Sequence, residues 1–529
     1  MRAAAALLGA GIEAFPEGKT IERIDVVRLD PIEDRDPLPA AFDVVHTTTK
    51  EDVVRHEMLL HVGEPYRAVL ADESARNLRA FAQVSVVIVA ALEGSGPDRV
   101  RVVVITKDVW SLLPNFDFSV TSGGLESLLL ELEETNLAGR QQSLIGRMLL
   151  QPESLAVGLA YGSSRFTGRW LTFLADGNVI FNRRSGDPEG TFGAARIERT
   201  LYTTRTDWAW LVGVAWRDEV YRRYSNAEVA RWDDGTPWVY RSRKIEDTAS
   251  ITRSFGWARK HAFTFGGVFV RDDYRPDVPD LAFERAVVPV GEARVYPFVE
   301  WHAFANDFLR IVDYESLALQ EDVRVGHDVV VRAYPVLRAF GSSRDLAGLR
   351  AAAAYTVRLG DGFVRGLVDA TNEAQADNIP DASITGDLRV VSPRTPAGRM
   401  VFDTTITNRW RNYLNRTSVL GGEDRLRGYP TRYLTGKDVT AVNLEYRSRP
   451  VEIASCQLGG ALFYDAGQVG TRAAHSVGLG FRLVLPQIDR AVLRGDLGFP
   501  MTDNLPPSFF LTFGQAFKAA AGIPPPLGP

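Results

Sequence analysis

The feature that most constrains this chain is a two-residue alternation of apolar and polar side chains that recurs from Trp110 to Phe517. In the segment SVGLGFRLVLP, one face carries only apolar side chains and the opposite face carries Gly478, Gly480 and Arg482. Successive side chains of a β-strand point to opposite faces of a sheet, so the pattern predicts strands with one apolar face. No long helical period recurs, and we expect little helix in this region.

A soluble sandwich would alternate in the same way, but three features of the region favour a barrel. The region is 408 residues long, its polar face is rich in Arg, Glu and Asp, and its connections alternate between short turns and long polar loops. At about 25 residues per strand with its connections, it would hold about 16 strands. The predicted fold is mainly β, with a transmembrane antiparallel β-barrel over residues 109–517.

Composition excludes several other classes. The formal net charge is −5 and no basic run marks a nucleic-acid surface, so no nucleic-acid partner is expected. Cys456 is the only cysteine, which excludes a disulfide framework and a cysteine-rich metal site. The longest apolar run, Val84–Leu92, is shorter than the roughly 18 residues of a membrane-spanning helix.

A different pattern precedes the barrel, over residues 20–108. The strand-like run IERIDVVRL is followed by two helix-like segments, TTTKEDVVRHEMLLHVGEPY and DESARNLRAFA, and then by the strand-like runs QVSVVIVAAL and RVRVVVITKD. Thr48 and Glu51 have the spacing of a capping box, which predicts the start of the first helix. The predicted order is β-α-α-β-β, that of one small α+β domain.

This order, with VGEPY between the helices and SARNLRAFAQVSVVIV leading into the second strand, resembles a POTRA domain, the periplasmic module of outer-membrane assembly factors. The resemblance implies binding of extended clients along a sheet edge, either Ile21–Leu29 or Val84–Leu92. The preceding residues 1–19 contain one Arg and a short apolar run without a cleavage site, and we expect a signal-peptide remnant or the flexible start of the mature chain. Because a POTRA-barrel protein must be exported, a truncated or misplaced start is the favoured interpretation.

A charged cluster lies in a segment built to bend, GGEDRLRGYP at Gly421–Pro430. Strand parity in the following runs, AVNLEYRSRP and GALFYDAGQVG, turns Glu445 and Asp465 toward the inside of the barrel. Two carboxylates in a partly enclosed lumen require a cation. The preceding loop contains one, and its Gly428 lets the backbone turn back on itself.

These segments resemble the BamA-like and TamA-like superfamily, also called the bacterial surface antigen family. RLRGYP is similar to the arginine-glycine-aromatic motif of the family's sixth extracellular loop, LFYDAGQV to its strand motif, and ETNLAGR to the motif near the barrel start. SVGLGFRLVLP, LRGDLGFP and FFLTFGQAF are similar to its last strands, in order. The resemblance covers the chain from Thr20 to Phe517 and is most specific after Gly421.

The resemblance assigns roles to individual residues. It makes Arg427 the arginine that reaches the lumen, held by Asp465 and Glu445, with Arg425 the less favoured candidate because Gly and Tyr directly follow Arg427. The remaining motif positions are Gly428 and Tyr429 in the loop, Phe463, Tyr464 and Gly467 in the strand, and Phe513, Gly514 and Phe517 in the C-terminal strand signal. A Pro/Ala-rich tail follows at residues 518–529, whereas the family usually ends at the aromatic residue.

The function implied by the resemblance is assembly, insertion or translocation of client proteins at the bacterial outer membrane, with the POTRA domain in the periplasm. The expected partners are outer-membrane lipids, unfolded outer-membrane or secreted clients, and periplasmic or lipoprotein partners of the POTRA domain. The alternative is a structural or passive-pore barrel. His56 and His61 in HEMLLH are five residues apart and so do not share one face of a helix, and no catalytic motif occurs, so we expect no enzyme, cofactor or metal.

Overall fold

The computed structural model describes residues 11–32, 47–81, 83–121, 123–203, 205–277, 280–422, 425–487 and 491–515. Three predictions from the sequence fall partly or wholly outside these ranges. They concern the first ten residues of the N-terminal segment, the tail at residues 518–529, and Phe517 of the C-terminal strand signal.

The N-terminal domain is a three-stranded sheet with two helices. Its elements are β1 (Thr20–Leu29), α1 (Glu51–His56), α2 (Ala68–Arg79), β2 (Val84–Glu93) and β3 (Arg99–Asp108). The sheet order is β1-β3-β2, with β1 parallel and β2 antiparallel to the central β3. Branched apolar residues favour such strands, and Ile24, Leu78 and Val102 are among the side chains buried in the core cluster of this domain.

The first helix is shorter than the sequence predicts. α1 covers only Glu51–His56, and its N-cap residue Lys50 makes no side-chain cap hydrogen bond. The hydroxyl of Thr48 donates to Asp30 Oδ1 at 3.0 Å instead, so the predicted capping box does not form. Beyond the helix, Met58 and Leu60 are buried in the domain core, which shows how tertiary packing overrides the local helical pattern.

The rest of the chain forms a closed antiparallel barrel, in which β29 pairs with β4. The elements up to the middle of the barrel are β4 (Leu112–Thr121), β5 (Gly124–Glu134), β6 (Gln142–Leu150), β7 (Ser154–Ser163), β8 (Thr172–Asn182), β9 (Pro188–Arg199), β10 (Trp208–Arg222), β11 (Tyr224–Ser225), β12 (Glu228–Val229), β13 (Val239–Phe255), β14 (Arg259–Pro276), α3 (Leu281–Val287), β15 (Ala293–Ala305), β16 (Asp307–Val312) and β17 (Gln320–Val336). The remaining elements are β18 (Leu346–Leu359), β19 (Gly362–Ala374), β20 (Asp381–Val391), β21 (Gly398–Asn412), β22 (Ser418–Leu420), β23 (Leu434–Gly436), β24 (Val439–Ser448), β25 (Val451–Ile453), β26 (Cys456–Val469), β27 (Arg472–Val484), β28 (Leu493–Pro500) and β29 (Ser508–Phe513).

Within the described residues, the barrel has 20 strands, and the prediction of about 16 is wrong. β16 and β25 continue their neighbours β15 and β24, while the pairs β11–β12 and β22–β23 form separate two-stranded sheets. The error lies in the assumed length per strand: several connections are tight turns, so each strand with its connection takes about 20 residues rather than 25.

Side chains alternate between the two surfaces of the barrel wall. In β18, buried and exposed residues alternate strictly from Leu346 to Tyr355, with Arg350 inside and Leu349 outside. Many large apolar side chains are exposed on the outer surface, which gives the barrel an apolar belt. Among the described residues, no helix has the length and apolarity required to cross a membrane.

The N-terminal domain docks on one end of the barrel, here called the proximal end; the opposite end is the distal end. Asn136, in the ETNLAGR segment between β5 and β6, is fully buried and donates to Thr47 O at 2.9 Å and to Thr49 Oγ1 at 3.1 Å. Gly139 leaves room for the domain backbone, since a Cβ there would lie 2.8 Å from Thr48 O. The segment predicted to mark the barrel start therefore forms part of the contact between the domain and the barrel.

A buried arginine cluster and an incompletely paired seam

The loop between β21 and β24, residues 413–438 and here called the lumen loop, starts at the distal end and folds into the barrel. The paired strands β22 and β23 form its base, and the backbone of Gly422 donates to Tyr429 O at 2.9 Å near its tip. Gly428 has a φ of 132°, a conformation that only glycine adopts without strain. Glu423 and Asp424 of the charged segment lie outside the described residues.

Arg427 is 1% exposed and lies against carboxylates from three strands. Asp465 accepts from Arg427 Nε at 2.9 Å and from Nη2 at 3.0 Å, which is a two-point contact with the planar guanidinium. Arg427 Nη1 donates to Glu445 at 2.5 Å and to Asp496 at 3.2 Å. The backbone N–H of Arg427 also donates to Asp465, at 3.0 Å, so one carboxylate fixes both the side chain and the chain direction.

The cluster extends along the inner wall. Arg447 Nε donates to Glu445 at 2.7 Å, and Arg482 Nη1 donates to Asp496 at 2.7 Å. Arg494 Nη1 donates to Asp496 at 3.0 Å. Because Glu445 and Asp496 are each shared by several cations, removing one side chain disturbs the whole network.

The electrostatic surroundings keep Arg427 charged. Burial alone would lower the pKa of the Arg427 guanidinium, but the charges of Asp465, Glu445 and Asp496 raise that pKa well above its ordinary value. The Arg427 guanidinium also lies over the ring of Phe463, 3.7 Å from its centroid. The tip of the loop is thus held through the Arg427 guanidinium, which makes ion pairs along its edges and stacks on an aromatic ring with one face.

Tyr429 completes the loop tip. Its side chain is fully buried, its hydroxyl donates to His475 O at 3.1 Å, and it packs beside Tyr433 with ring centroids 4.9 Å apart. Leu420, Leu426 and the wall residues Ala441 and Val469 belong to the same apolar cluster. The loop is therefore packed against the wall, in addition to being held by charges.

Glycines in the wall allow the loop to approach. A Cβ at Gly498 would lie 2.3 Å from Arg427 O, and a Cβ at Gly467 would lie 2.6 Å from Leu420 Cδ1. A Cβ at Gly478 would meet the ring of Phe463 at 2.1 Å. These positions explain why the motif strands carry glycine on their inner faces.

Arg425 occupies a different place in the same loop. Its φ is 65°, and its guanidinium contacts the buried carboxylate of Asp403, which also accepts from Arg389 Nε at 2.6 Å. Arg425 is 26% exposed, against 1% for Arg427. Arg425 therefore rests on the inner wall, and Arg427 is the arginine that enters the central cluster.

The structure distributes the other predicted site residues over two surfaces. Phe463 and Gly467 face the lumen loop, whereas Tyr464 is 41% exposed on the outer surface. Phe513 meets Phe116 of β4 edge to face, with centroids 5.3 Å apart, and the Gly514 N–H donates to Val492 O at 2.7 Å. These C-terminal residues therefore lie at the seam and away from the lumen cluster, and Phe513 contacts β4 across the seam.

Asp496 and Asn443 also belong to the cluster, although the sequence analysis named neither among the partners of Arg427. Asn443 Nδ2 donates to Asp465 at 2.8 Å and to the backbone O of Arg425 at 2.9 Å. Parity in LRGDLGFP would have found Asp496, because it shares an inward face with Arg494 and Gly498. None of the sequence motifs assigns a role to Asp496. Within the described residues, no group of three or more His, Cys, Asp or Glu side chains could hold a metal ion.

The seam between the first and last barrel strands is short. In the part of the chain that the structure describes, β29 pairs with β4 only through Phe509↔Val120, Phe510↔Ser119 and Leu511↔Phe118. β4 pairs with β5 over its whole length, Leu112–Thr121. Among the described residues, the part of β4 from Leu112 to Asp117 has no strand partner on the seam side.

A cavity of about 320 Å³ lies where this pairing is missing. Its lining includes Asn115 and Asp117 of β4, Thr512 of β29, and Gln83 of the N-terminal domain. The gap at the proximal end of the seam therefore opens beside the start of β2.

Together these features define a class of protein: a closed antiparallel barrel that anchors a long loop in its lumen through a buried arginine and carries a small α+β domain at one end. No family model matches the chain. Over 190 residues the chain is 27% identical to a protein of Treponema pallidum (strain Nichols) described as "Putative outer membrane protein assembly factor". That match covers 34% of this chain and 22% of the relative, so it spans less than a quarter of the relative's length.

Among solved structures, the chain is similar to BamA from Haemophilus ducreyi lacking POTRA domains 1–3, with 12% identity, a TM-score of 0.38, and coverage of 94% of this chain and 84% of that one. It is also similar to CdiB from Escherichia coli, with 11% identity, a TM-score of 0.48, and coverage of 94% and 77%. The description of the Treponema pallidum protein agrees with the resemblance to the BamA-like and TamA-like superfamily of outer-membrane assembly factors that the sequence motifs indicate.

Proposed function

We propose that this protein resides in the bacterial outer membrane and inserts or translocates client proteins there, with its N-terminal domain acting as a POTRA receptor in the periplasm. The observation that carries the proposal is the seam, where β29 and β4 share only three residue pairs among the described residues. A barrel that serves only as a wall has no use for an incompletely paired closure, because unpaired backbone groups are costly in lipid.

A client strand can satisfy the backbone groups that the described part of the seam leaves unpaired. Adding a strand to an exposed sheet edge is a general mode of recognising extended segments. The edge of β4 between Leu112 and Asp117 faces the cavity that Gln83 also lines. A segment held beside Gln83 would therefore lie next to the edge it is to join.

The N-terminal domain favours one of its two edge strands as the client site. The start of β1 is covered, since Ile21 N donates to Glu64 O at 2.9 Å and Gly63 N donates to Ile21 O at 2.8 Å. On β2, Gly11 and Glu13 bond only to the end of the strand, at Glu93 and Ala91. From Val86 to Ala90 the outer side of β2 has no backbone partner among the described residues, which supports the choice of Val84–Leu92.

The alternative is a passive or structural barrel, and locking the seam separates the two. In a Cys456→Ser background, Ser119→Cys with Phe510→Cys places two cysteines at directly paired positions of the seam. Thr252→Cys with Thr264→Cys is the matched control, because these residues are paired between β13 and β14 in the wall. We expect oxidation of the seam pair, but not of the control pair, to deplete outer-membrane proteins in a proteomic census. Equal protein levels with both locks would favour the passive barrel.

A further inference from the structure

A β-ribbon leaves the barrel wall at the proximal end. β15 pairs with β17 as far as Phe304↔Asp328, and the ribbon continues as β16 paired with the start of β17, from Asp307↔Val325 to Val312↔Gln320. The neighbouring wall strand β18 stops pairing with β17 at Gly326. Gly326 has a φ of 91°, and a Cβ there would lie 2.7 Å from Ala305 Cβ, so glycine permits the bend at this point. We call residues 307–325 the proximal strap.

The strap crosses the proximal mouth of the barrel. Ile311 and Tyr314 are buried against Phe363, Val391 and Val401, which stand at the proximal ends of β19, β20 and β21. Leu317, at the tip, packs against Val484 and Val492, at the end of β27 and just before β28. The ribbon therefore starts at β15 and β17 and reaches strands near the seam.

Polar contacts tie the strap to the inner wall. Arg389 Nη1 donates to Tyr314 Oη at 2.9 Å, and Arg447 Nη1 donates to Tyr314 O at 2.7 Å. Arg399 Nη2 donates to Val312 O at 2.9 Å. Since Arg447 also bonds Glu445, which bonds Arg427, the strap tip and the lumen loop share one network.

The base of the strap is attached to the N-terminal domain through one helix. Arg79 Nη2 lies 2.8 Å from Asp322 Oδ2, and Arg310 Nη2 lies 2.8 Å from Asp72 Oδ1. The Arg76 guanidinium lies over the ring of Phe308 at 4.8 Å from its centroid. Arg79, Asp72 and Arg76 all belong to α2, which packs against β2 in the same domain.

We propose that the proximal strap is a gate: it closes the proximal mouth of the barrel, and displacement of α2 withdraws it. The tip is held by apolar burial and by hydrogen bonds to the wall, whereas the base is held by α2 through two ion pairs, the largely buried Arg79–Asp322 and the exposed Arg310–Asp72. A rotation of the domain would therefore move the ribbon as a lever about Gly326. The inference goes beyond client handling, and its test uses ion flow and needs no client.

Opening the gate should change ion selectivity as well as ion flow. The small pocket beside the tip is lined by Asp313 and Leu317 of the strap, by Arg399 and Arg447 of the wall, and by Arg394 and Arg449 of adjacent turns. Withdrawal of the tip would expose these cations at the mouth. Anions should then pass more readily than cations.

The test is conductance of the purified full chain in planar lipid bilayers. Tyr314→Ala with Leu317→Ala, and separately replacement of residues 313–319 by Gly-Gly, should raise conductance severalfold and shift the reversal potential in a KCl gradient toward anion selectivity. Phe255→Ala with Trp257→Ala is the matched control, because both side chains are exposed at another proximal turn, at 49% and 60%. Heat-modifiable gel mobility verifies that each variant has folded.

The coupling to α2 is tested by Arg79→Ala with Asp72→Ala, which leaves the tip intact. Frequent openings are expected, and in a Cys456→Ser background a disulfide between Leu317→Cys and Val492→Cys should abolish them until a reductant is added. Unchanged conductance and selectivity in both tip variants would overturn the gate. Raised conductance in the tip variants together with unchanged conductance in the Arg79→Ala, Asp72→Ala variant would overturn the coupling to α2. The conductance tests of the tip and of α2 use no client, so failure of the proposed client handling in the seam experiment would not change their outcome.

Discussion

At the scale of single residues, Arg427 shows why a guanidinium is needed at the tip of the lumen loop. Its planar group spreads donors over Asp465, Glu445 and Asp496 from three different strands. A lysine ammonium is a point charge and could not reproduce the two-point contact with Asp465. Desolvating such a cluster is costly, and the cost is offset only while all of its hydrogen bonds are made.

We predict that Arg427→Ala lowers the free energy of unfolding by about 3–5 kcal/mol, because it leaves Asp465 buried without its cation. Asp465→Ala should also destabilise the barrel. The double variant should be scarcely less stable than Arg427→Ala alone, because both changes remove the same Arg427–Asp465 contact. Urea unfolding in detergent micelles measures the cycle.

Arg425→Ala is the control for this cycle, because Asp403 keeps its contact with Arg389 at 2.6 Å. Arg425→Ala should lower the free energy of unfolding by less than about 1 kcal/mol, as for other partly exposed ion pairs. Additive losses for Arg427→Ala and Asp465→Ala, or equal losses for the two arginines, would show that the loop is not anchored through Arg427.

A second prediction concerns Gly498. Gly498→Ala should displace the loop tip, because its Cβ would lie 2.3 Å from Arg427 O and within 2.6 Å of Gly428 Cα, both of them backbone atoms. Limited trypsin digestion should then cleave the lumen loop after Arg432. Gly386→Ala, at a strand glycine where an added Cβ would have no neighbouring atom within 4 Å, should leave the loop protected. Equal protection of both variants would contradict the close packing of the loop on β28.

At the scale of elements, the N-terminal domain offers two edge strands that differ in what covers them. A photo-crosslinker at Val87 or Val89 of β2 should capture a purified unfolded outer-membrane barrel protein. The same probe at Arg23 of β1 is the comparison, because the neighbouring Ile21 bonds to Gly63 and Glu64 and so covers the start of this strand. Capture is read on gels after irradiation. No capture at either strand by a folded protein would favour the passive barrel.

The lumen loop and the seam act on the same part of the wall. β28 lies between β27 and β29, and Asp496 of β28 bonds Arg427 of the loop. Ser508 of β29 donates to Gly428 O at 3.2 Å. The loop therefore braces the C-terminal strands from inside, while the described part of the seam on their far side has three residue pairs.

At the scale of the whole molecule, side chains from several segments of the barrel contact the domain. Glu57 of the domain contacts Arg165 in the turn between β7 and β8, and Arg165 stacks on Trp170 at 3.9 Å. Burial raises the pKa of the Glu57 carboxyl, and the charge of Arg165 opposes that rise. Such a contact positions the domain, but the barrel closes through its own strand pairing.

We therefore predict that residues 110–529 refold without the domain. Circular dichroism in detergent should be dominated by β-structure, and gel mobility should be heat-modifiable, as expected for a closed barrel. The full-length chain is the control for the refolding yield. A mainly helical spectrum, or mobility that heating leaves unchanged, would argue against an independently closed barrel.

The sequence by itself determined the strands and their faces, because a strand's period is a local property of the chain. Parity in two neighbouring strands turned Glu445 and Asp465 inward, and the loop motif singled out Arg427. The domain's three strands were likewise visible as runs of branched apolar residues. The local period does not determine the number of strands, because that number depends on how many residues each connection takes up.

Only the tertiary structure decided which distant residues meet. Asp496 and Arg482 join the arginine cluster because β27 and β28 lie beside the loop in space, although they are remote from it in sequence. Tyr314 and Leu317 belong to none of the sequence motifs, yet they are buried across the proximal mouth. The period of a segment fixes which side of a strand faces inward, but the partner it meets there depends on how the whole sheet closes.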